Sequence, residues 1–217
     1  MTVREFLDRG GSSPFAKWFG GLDATAAAKV TTALLRIELG NLSNVKGVGA
    51  GVFEYRIDFG PGYRVYFGKD GETVVILLGG GNQEASRSRH RNCEGAVEGL
   101  QGAQITGEMR MGLTREFKET VQARITRDRK YRKELLRQGV ECLLAGDLDT
   151  GKAILRDYIN ATVGFEKLSH LTGRPAKSLM RMLGPKGNPQ ARTLLEVIGH
   201  LQRVEGLQFE LSLRAAS

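Results

Sequence analysis

The chain has 217 residues, 41% of them apolar and 26% charged, with a formal charge of +8. That composition excludes global disorder, and no apolar run is long enough to span a bilayer. The excess charge is uneven: residues 112–217 carry 19 Lys and Arg against 12 Asp and Glu, whereas residues 1–81 carry 9 against 8.

From the N-terminus, Phe15 to Phe19 reads as a short apolar turn or helix. Asp23 is then an N-cap for a helix to about Leu39, with Val30, Leu34, Leu35 and Ile37 as its buried stripe and Gly40-Asn41 as its end. Phe53, Tyr55, Ile57 and Phe59 alternate with Glu54, Arg56 and Asp58, which is the period of a strand. Gly60-Pro61-Gly62 is a tight turn into Tyr63, Val65 and Phe67, and Asp70-Gly71 turns into the continuous apolar strand Thr73 to Leu78.

A three-residue turn would pair Asp58 with Arg64 and Arg56 with Tyr66, all on one face, with Glu54 and Lys46 near them. Two guanidinium groups and a phenol on a concave sheet could hold a phosphodiester and stabilise charge building on it. The same residues also allow a plain solvated face with a cross-strand Arg–Asp pair.

Residues 82–111 break the pattern. They show no sustained apolar period and carry Arg87, Arg89 and Arg91 close together. Beyond them Phe117, Val121 and Ile125 share one helix face. Tyr131, Leu135, Leu136, Val140, Leu143 and Leu144 make a second stripe closed by Gly146. Asp149 is the expected N-cap of a third helix facing the core through Ile154, Leu155, Tyr158 and Ile159.

Phe165 to Leu179 reads as a helix, a turn at Gly173 and a second helix with Pro175 in its first turn, the arrangement of a helix-turn-helix. Lys177, Ser178 and Arg181 would lie on or beside its exposed face, with Arg174 at its entry. Arginine there can make two hydrogen bonds to guanine, and Lys177 suits a phosphate. A small helical bundle with a solvated basic face is the alternative. Arg192 to Leu201 reads as a packing helix and Gln208 to Leu213 as a final strand.

Two family resemblances join these readings. Phe15-x-x-Trp18-Phe19, Leu39-Gly40-Asn41, Val45-Lys46-x-Val48-Gly49, Glu54-Tyr55-Arg56-Ile57 and Gly60-Pro61-Gly62-Tyr63-Arg64-Val65-Tyr66 resemble the HigB-type toxins of the RelE/ParE superfamily. The resemblance covers residues 1–81 and implies a small, metal-free, ribosome-dependent mRNA interferase, built on a curved antiparallel sheet with two helices. Arg56 and Arg64 would contact RNA phosphate, with Lys46 and Tyr66 assisting.

Residues 112–217 resemble the HigA-like antidote proteins of addiction modules. The matching phrases are Leu113-Thr114-Arg115-Glu116-Phe117, Asp157 to Phe165, and Lys177-Ser178-Leu179-Met180-Arg181-Met182-Leu183-Gly184-Pro185-x-Gly187-Asn188-Pro189. This implies a repressor-like domain that binds operator DNA, neutralises its toxin and commonly dimerises.

The family's Lys-rich, Gln-containing tail should begin at Asn82, and it is missing. With suitable codons, a slip forward by one nucleotide from Asn82 to Glu108 spells such a tail and then reaches a stop near Met109. An ordinary flexible linker is the alternative.

The expected fold is α+β: a RelE/ParE-like domain over residues 1–81, a linker over 82–111, and an all-α helix-turn-helix domain with a short C-terminal strand over 112–217. The expected function is a fused toxin–antidote protein with an inactive ribonuclease half. A ribonuclease silenced by its attached antidote, with His90 as the replacement acid or base, is the alternative. A third reading is a plain transcription regulator whose N-terminal domain only supports dimerisation.

Operator DNA is the expected partner, with ribosome or mRNA as further partners and a homodimer as the assembly. Cys93 and Cys142 lack zinc-type spacing, and so no disulfide framework, metal or other cofactor is expected. The first thirty residues lack a basic start followed by an apolar stretch, which sets a cytoplasmic expectation.

Overall fold

A computed structural model describes residues 1–8, 10–49, 51–70, 74–82 and 114–210. The linker, with Cys93, His90 and the proposed frame slip, lies outside the described residues, as does the expected turn at Gly71. The described residues form six strands and eight helices, a mixed α+β architecture. None of these helices is long and apolar enough to cross a membrane. The chain divides into two compact units, Met1–Leu135 and Leu136–Ser217.

The first unit is built on one six-stranded sheet of order β2-β3-β4-β5-β1-β6. The strands are β1 (Thr2–Phe6), β2 (Val45–Gly49), β3 (Val52–Ile57), β4 (Tyr63–Asp70), β5 (Val74–Asn82) and β6 (Thr114–Glu116). The sheet is mixed rather than antiparallel throughout, because β1 runs parallel to β5 while its other edge takes β6 antiparallel.

Helix α1 (Pro14–Gly20) starts at Ser13, whose hydroxyl accepts from the Ala16 amide. Helix α2 (Ala24–Glu38) starts at Asp23, whose carboxylate accepts from the Ala26 amide, as its sequence position predicts. Val30, Leu34, Leu35 and Ile37 of α2 are buried as expected.

The register of the β3–β4 hairpin departs from the expected one. Ile57 pairs with Tyr63, Arg56 with Arg64 and Glu54 with Tyr66. The connection is therefore five residues, Asp58 to Gly62, and not a three-residue turn. Gly60 and Gly62 sit at φ +55° and +73°, where side chains are strained, and the Phe59 and Tyr63 rings stack across the loop.

Val65 pairs with Gly80, and a Cβ on Gly80 would lie 2.2 Å from the Trp18 ring. Helix α1 therefore lies directly against the Val65 face of the sheet, which leaves Glu54, Arg56, Arg64 and Tyr66 on the other face.

Residues 114–135, which share their resemblance with the C-terminal module, pack within the first unit. Helix α3 (Phe117–Arg127) buries Phe117, Val121 and Ile125. Helix α4 (Arg129–Leu144) contains the boundary between the units and buries Tyr131, Leu135 and Leu136, whereas Leu144 is exposed, contrary to expectation.

In the second unit α5 (Leu148–Ala161) is capped by Asp147 rather than Asp149: the Thr150 amide donates to the Asp147 carboxylate. Then come α6 (Phe165–Thr172), α7 (Ala176–Met182) and α8 (Ala191–Glu205). Leu155, Tyr158, Phe165, Leu168, Leu179 and Val197 share the core of this unit. Gln208–Glu210 form no strand, and the rest of the expected C-terminal strand lies outside the described residues.

Candidate functional sites

Antiparallel pairing brings the four predicted sheet residues together in two adjacent rows. Lys46 pairs with Glu54 and Glu54 with Tyr66, which makes one row across β2, β3 and β4. Arg56 opposite Arg64 makes the next. Two guanidinium groups directly opposite one another repel unless an anion sits between them.

Glu54 is that anion. Its Oε1 accepts from Nε of Arg56 at 2.7 Å, and its Oε2 lies 3.2 Å from Nε of Arg64. Its side chain is only 3% exposed, against 50% for Arg56 and 16% for Arg64. Burial pushes the Glu54 carboxyl up, but the hydrogen bond from Arg56 and the charges of Arg64 and Arg56 outweigh it and hold it below the ordinary carboxylate value. Arg56 is raised in turn, by its hydrogen bond to Glu54 and by that carboxylate's charge.

Around this core the structure separates the predicted contributors. Lys46 is exposed, whereas Tyr66 is fully buried. Beside Arg64 and Tyr66 runs the stretch Gly79 to Gly81 of β5, where a Cβ on Gly79 would meet only open space. A bare strand beside paired cations lets a ligand approach the backbone closely. Glu54 escaped the sequence reading as more than a neighbour because its role depends on the hairpin register. Nη1 of Arg64 is buried without a hydrogen-bond partner among the described residues.

The second candidate site lies on α7. Gly173 ends α6 in the left-handed region at φ +66°, which lets the chain reverse into α7. Pro175 occupies the N-cap of α7, one position before the predicted first turn. Ala176 and Leu179 are buried, so their neighbours Lys177, Ser178 and Arg181 face outward, as expected from their spacing. Gly187 follows in a turn so close to α7 that a Cβ would lie 2.1 Å from the Met182 carbonyl oxygen. The buried Lys152 holds this turn by donating to the Gly187 carbonyl at 2.8 Å.

Arg174 does not stand free at the entry to α7. Its Nη2 donates to Glu196 of α8 at 3.0 Å, and Arg192 pairs with the other oxygen of the same carboxylate at 3.3 Å. These bonds, chiefly that from Arg174, hold Glu196 below the ordinary carboxylate value. Arg174 thus braces α7 against α8, leaving Lys177, Ser178 and Arg181 as the outward groups.

Among the described residues no three His, Cys, Asp or Glu side chains are grouped as metal ligands.

Comparison with known proteins finds no matching family model and no matching solved structure. It does find a protein of Haemophilus influenzae, described as an uncharacterized protein, that is 41% identical over 70 residues. The match covers 32% of this chain and 71% of that relative. At that identity and coverage of the relative, the chain belongs to the same family as this Haemophilus influenzae protein.

Proposed function

We propose that the chain is a fused toxin–antidote protein. Its C-terminal part binds operator DNA as repressor and antidote, and its N-terminal part is an mRNA interferase that no longer cleaves. The observation that carries this reading is the outward face of α7. Lys177, Ser178 and Arg181 project from a helix whose other face is fixed in the core by Ala176 and Leu179. A short helix held by its buried side, with one hydroxyl and two cations on the other, suits insertion into a major groove. The charge excess of residues 112–217 supports it through phosphate attraction. Dimerisation and a cytoplasmic location belong to the same proposal.

The loss of cleavage has its own support. Glu54 already occupies the faces of Arg56 and Arg64 that an RNA phosphate would need, and Tyr66 is buried. A carboxylate held below its ordinary value stays ionised at neutral pH and is a weak proton acceptor.

The test is a fluorescence titration of the intact chain with duplex DNA from upstream of its own gene. Binding should discriminate against scrambled duplex, and it should weaken as salt rises. Equal affinity for both duplexes would remove the repressor reading.

A second reading is favoured by the clustering of Lys46, Glu54, Arg56 and Arg64 on one face: a ribonuclease silenced by its attached antidote. It requires ribosome-dependent mRNA cleavage once the two parts are separated, lost in Arg64→Ala. Absence of cleavage after separation would remove it.

A further inference from the structure

Lys152 stands within α5 at only 5% exposure, a rare setting for an ammonium group. Its ion-pair partner at 2.9 Å, Asp149, is 67% exposed, so water screens that attraction. The other partner is the Gly187 carbonyl, which accepts from Nζ at 2.8 Å. An apolar side chain would fill the same place without the cost of desolvating a charge. What lysine adds is a directed bond from α5 to the turn between α7 and α8.

That turn is equally constrained on its other side. The Gly187 amide donates to the Gly184 carbonyl at 2.9 Å, which closes the turn. A Cβ on Gly187 would lie 2.1 Å from the Met182 carbonyl oxygen and 2.5 Å from that of Arg181. One on Gly184 would lie 3.2 Å from the same Arg181 oxygen. The turn therefore abuts the end of α7 that carries Arg181. Between the two glycines, Pro185 and Lys186 are exposed.

We infer that the turn Gly184–Gly187 is a second contact to the DNA backbone, in which Lys186 meets a phosphate. Lys152 is the positioning residue that holds this turn against α7. The inference rests on the proposed DNA-binding role of α7 and extends it beyond that helix. Arg181 on α7 reads base edges and supplies sequence preference. A lysine on the flanking turn meets phosphate alike on every sequence, and so supplies affinity and salt dependence instead.

The experiment titrates the folded intact chain with upstream duplex DNA and with scrambled duplex at several salt concentrations. The variants are Lys186→Ala, Lys152→Met, the two combined, and Arg181→Ala. Lys186→Ala should reduce the slope of log affinity against log salt by about 0.9. It should also weaken binding of both duplexes by one common factor, about 3-fold to 10-fold. Lys152 is buried, yet Lys152→Met should reproduce both changes, and combining the two should cost nothing further. A lysine that only stabilises the fold would leave the salt slope of the folded protein unchanged.

An unaltered slope in Lys186→Ala would overturn the contact. Additive losses in the combined variant, or an unaltered slope in Lys152→Met alone, would overturn the positioning role. If Lys152→Met does not fold, Gly187→Ala, whose methyl must push the turn off α7, takes its place in the same comparison. Equal affinity of the intact chain for the two duplexes, with a slope that Lys186→Ala still reduces, would remove the operator reading and support this contact. Binding of neither duplex would remove both.

Discussion

Arg124 and the Arg56–Arg64 pair are the same side chain in two kinds of surroundings. Arg124 is enclosed by fixed dipoles and rings: two main-chain carbonyls, two aromatic faces and the Asp128 carboxylate. The carbonyls and rings cannot leave without unfolding this part of the unit, so the charge of Arg124 is a structural fastening. Arg56 and Arg64 instead share one side-chain anion, Glu54, and Arg56 remains half exposed. A side-chain carboxylate can turn aside for a phosphate, whereas a main-chain carbonyl cannot. The kind of partner therefore decides whether a cation is a fastening or a binding group.

Deleting the fastening should have the largest effect. Arg124→Ala removes the buried guanidinium bonds to the Phe19 and Leu22 carbonyls and to Asp128, and should lower the stability of the first unit by roughly 3 kcal/mol in urea unfolding. Arg124→Lys should recover only part of that, because one ammonium cannot span both carbonyls and both rings. Full recovery by lysine would show that charge alone matters there.

Glu54→Gln should have effects of opposite sign at the other site. Loss of the shared anion should destabilise the sheet by about 1–2 kcal/mol. At the same time it should tighten binding of a short RNA by about 10-fold, since the two arginines lose their internal competitor. Unchanged RNA affinity would mean that the pair is purely structural.

Acid should act on both regions. Burial raises the Asp128 carboxyl, but the Tyr131 amide and Arg124 outweigh it, and like Glu54 it lies below its ordinary value. Carboxyls with lowered folded values stabilise above their unfolded values, about pH 4, and lose that contribution as pH falls through the folded values. Urea midpoints should therefore fall steeply below about pH 4, and the double variant Glu54→Gln, Asp128→Asn should flatten the slope. An undiminished slope in that variant would place the acid sensitivity elsewhere.

Arg181→Ala should change stability least, by about 0.5 kcal/mol or less, because the side chain is exposed.

How much of this the sequence discloses depends on how local each feature is. The Asp23 cap and the Gly173 reversal need only neighbouring residues, and both stand where the sequence places them. The α5 cap moved from Asp149 to Asp147 because two aspartates stand within one turn, and either could accept the first amides. Alternation located β3 and β4 but could not set their register, because a shift by two residues keeps every side chain on its own face. That shift replaced the expected Arg–Asp pair with an Arg–Arg pair bridged by Glu54.

The parallel pairing of β1 with β5 and the addition of β6 join distant residues, and no local pattern signals them. Arg124 did leave a trace: it stands three positions after Val121 and next to Ile125, on a face that is otherwise apolar. A cation at a buried helical position needs partners from another element, and here α1 provides them.

In the proposed function DNA is read by the outward face of α7, and the arginines of the sheet take no part. It is tested most directly by titrating upstream duplex DNA with the intact chain, with Arg181→Ala and with Arg64→Ala. Arg181→Ala should weaken binding about 10-fold and relax the preference over scrambled duplex, with Arg64→Ala unchanged. Unchanged binding in Arg181→Ala, or an equal loss in Arg64→Ala, would contradict it.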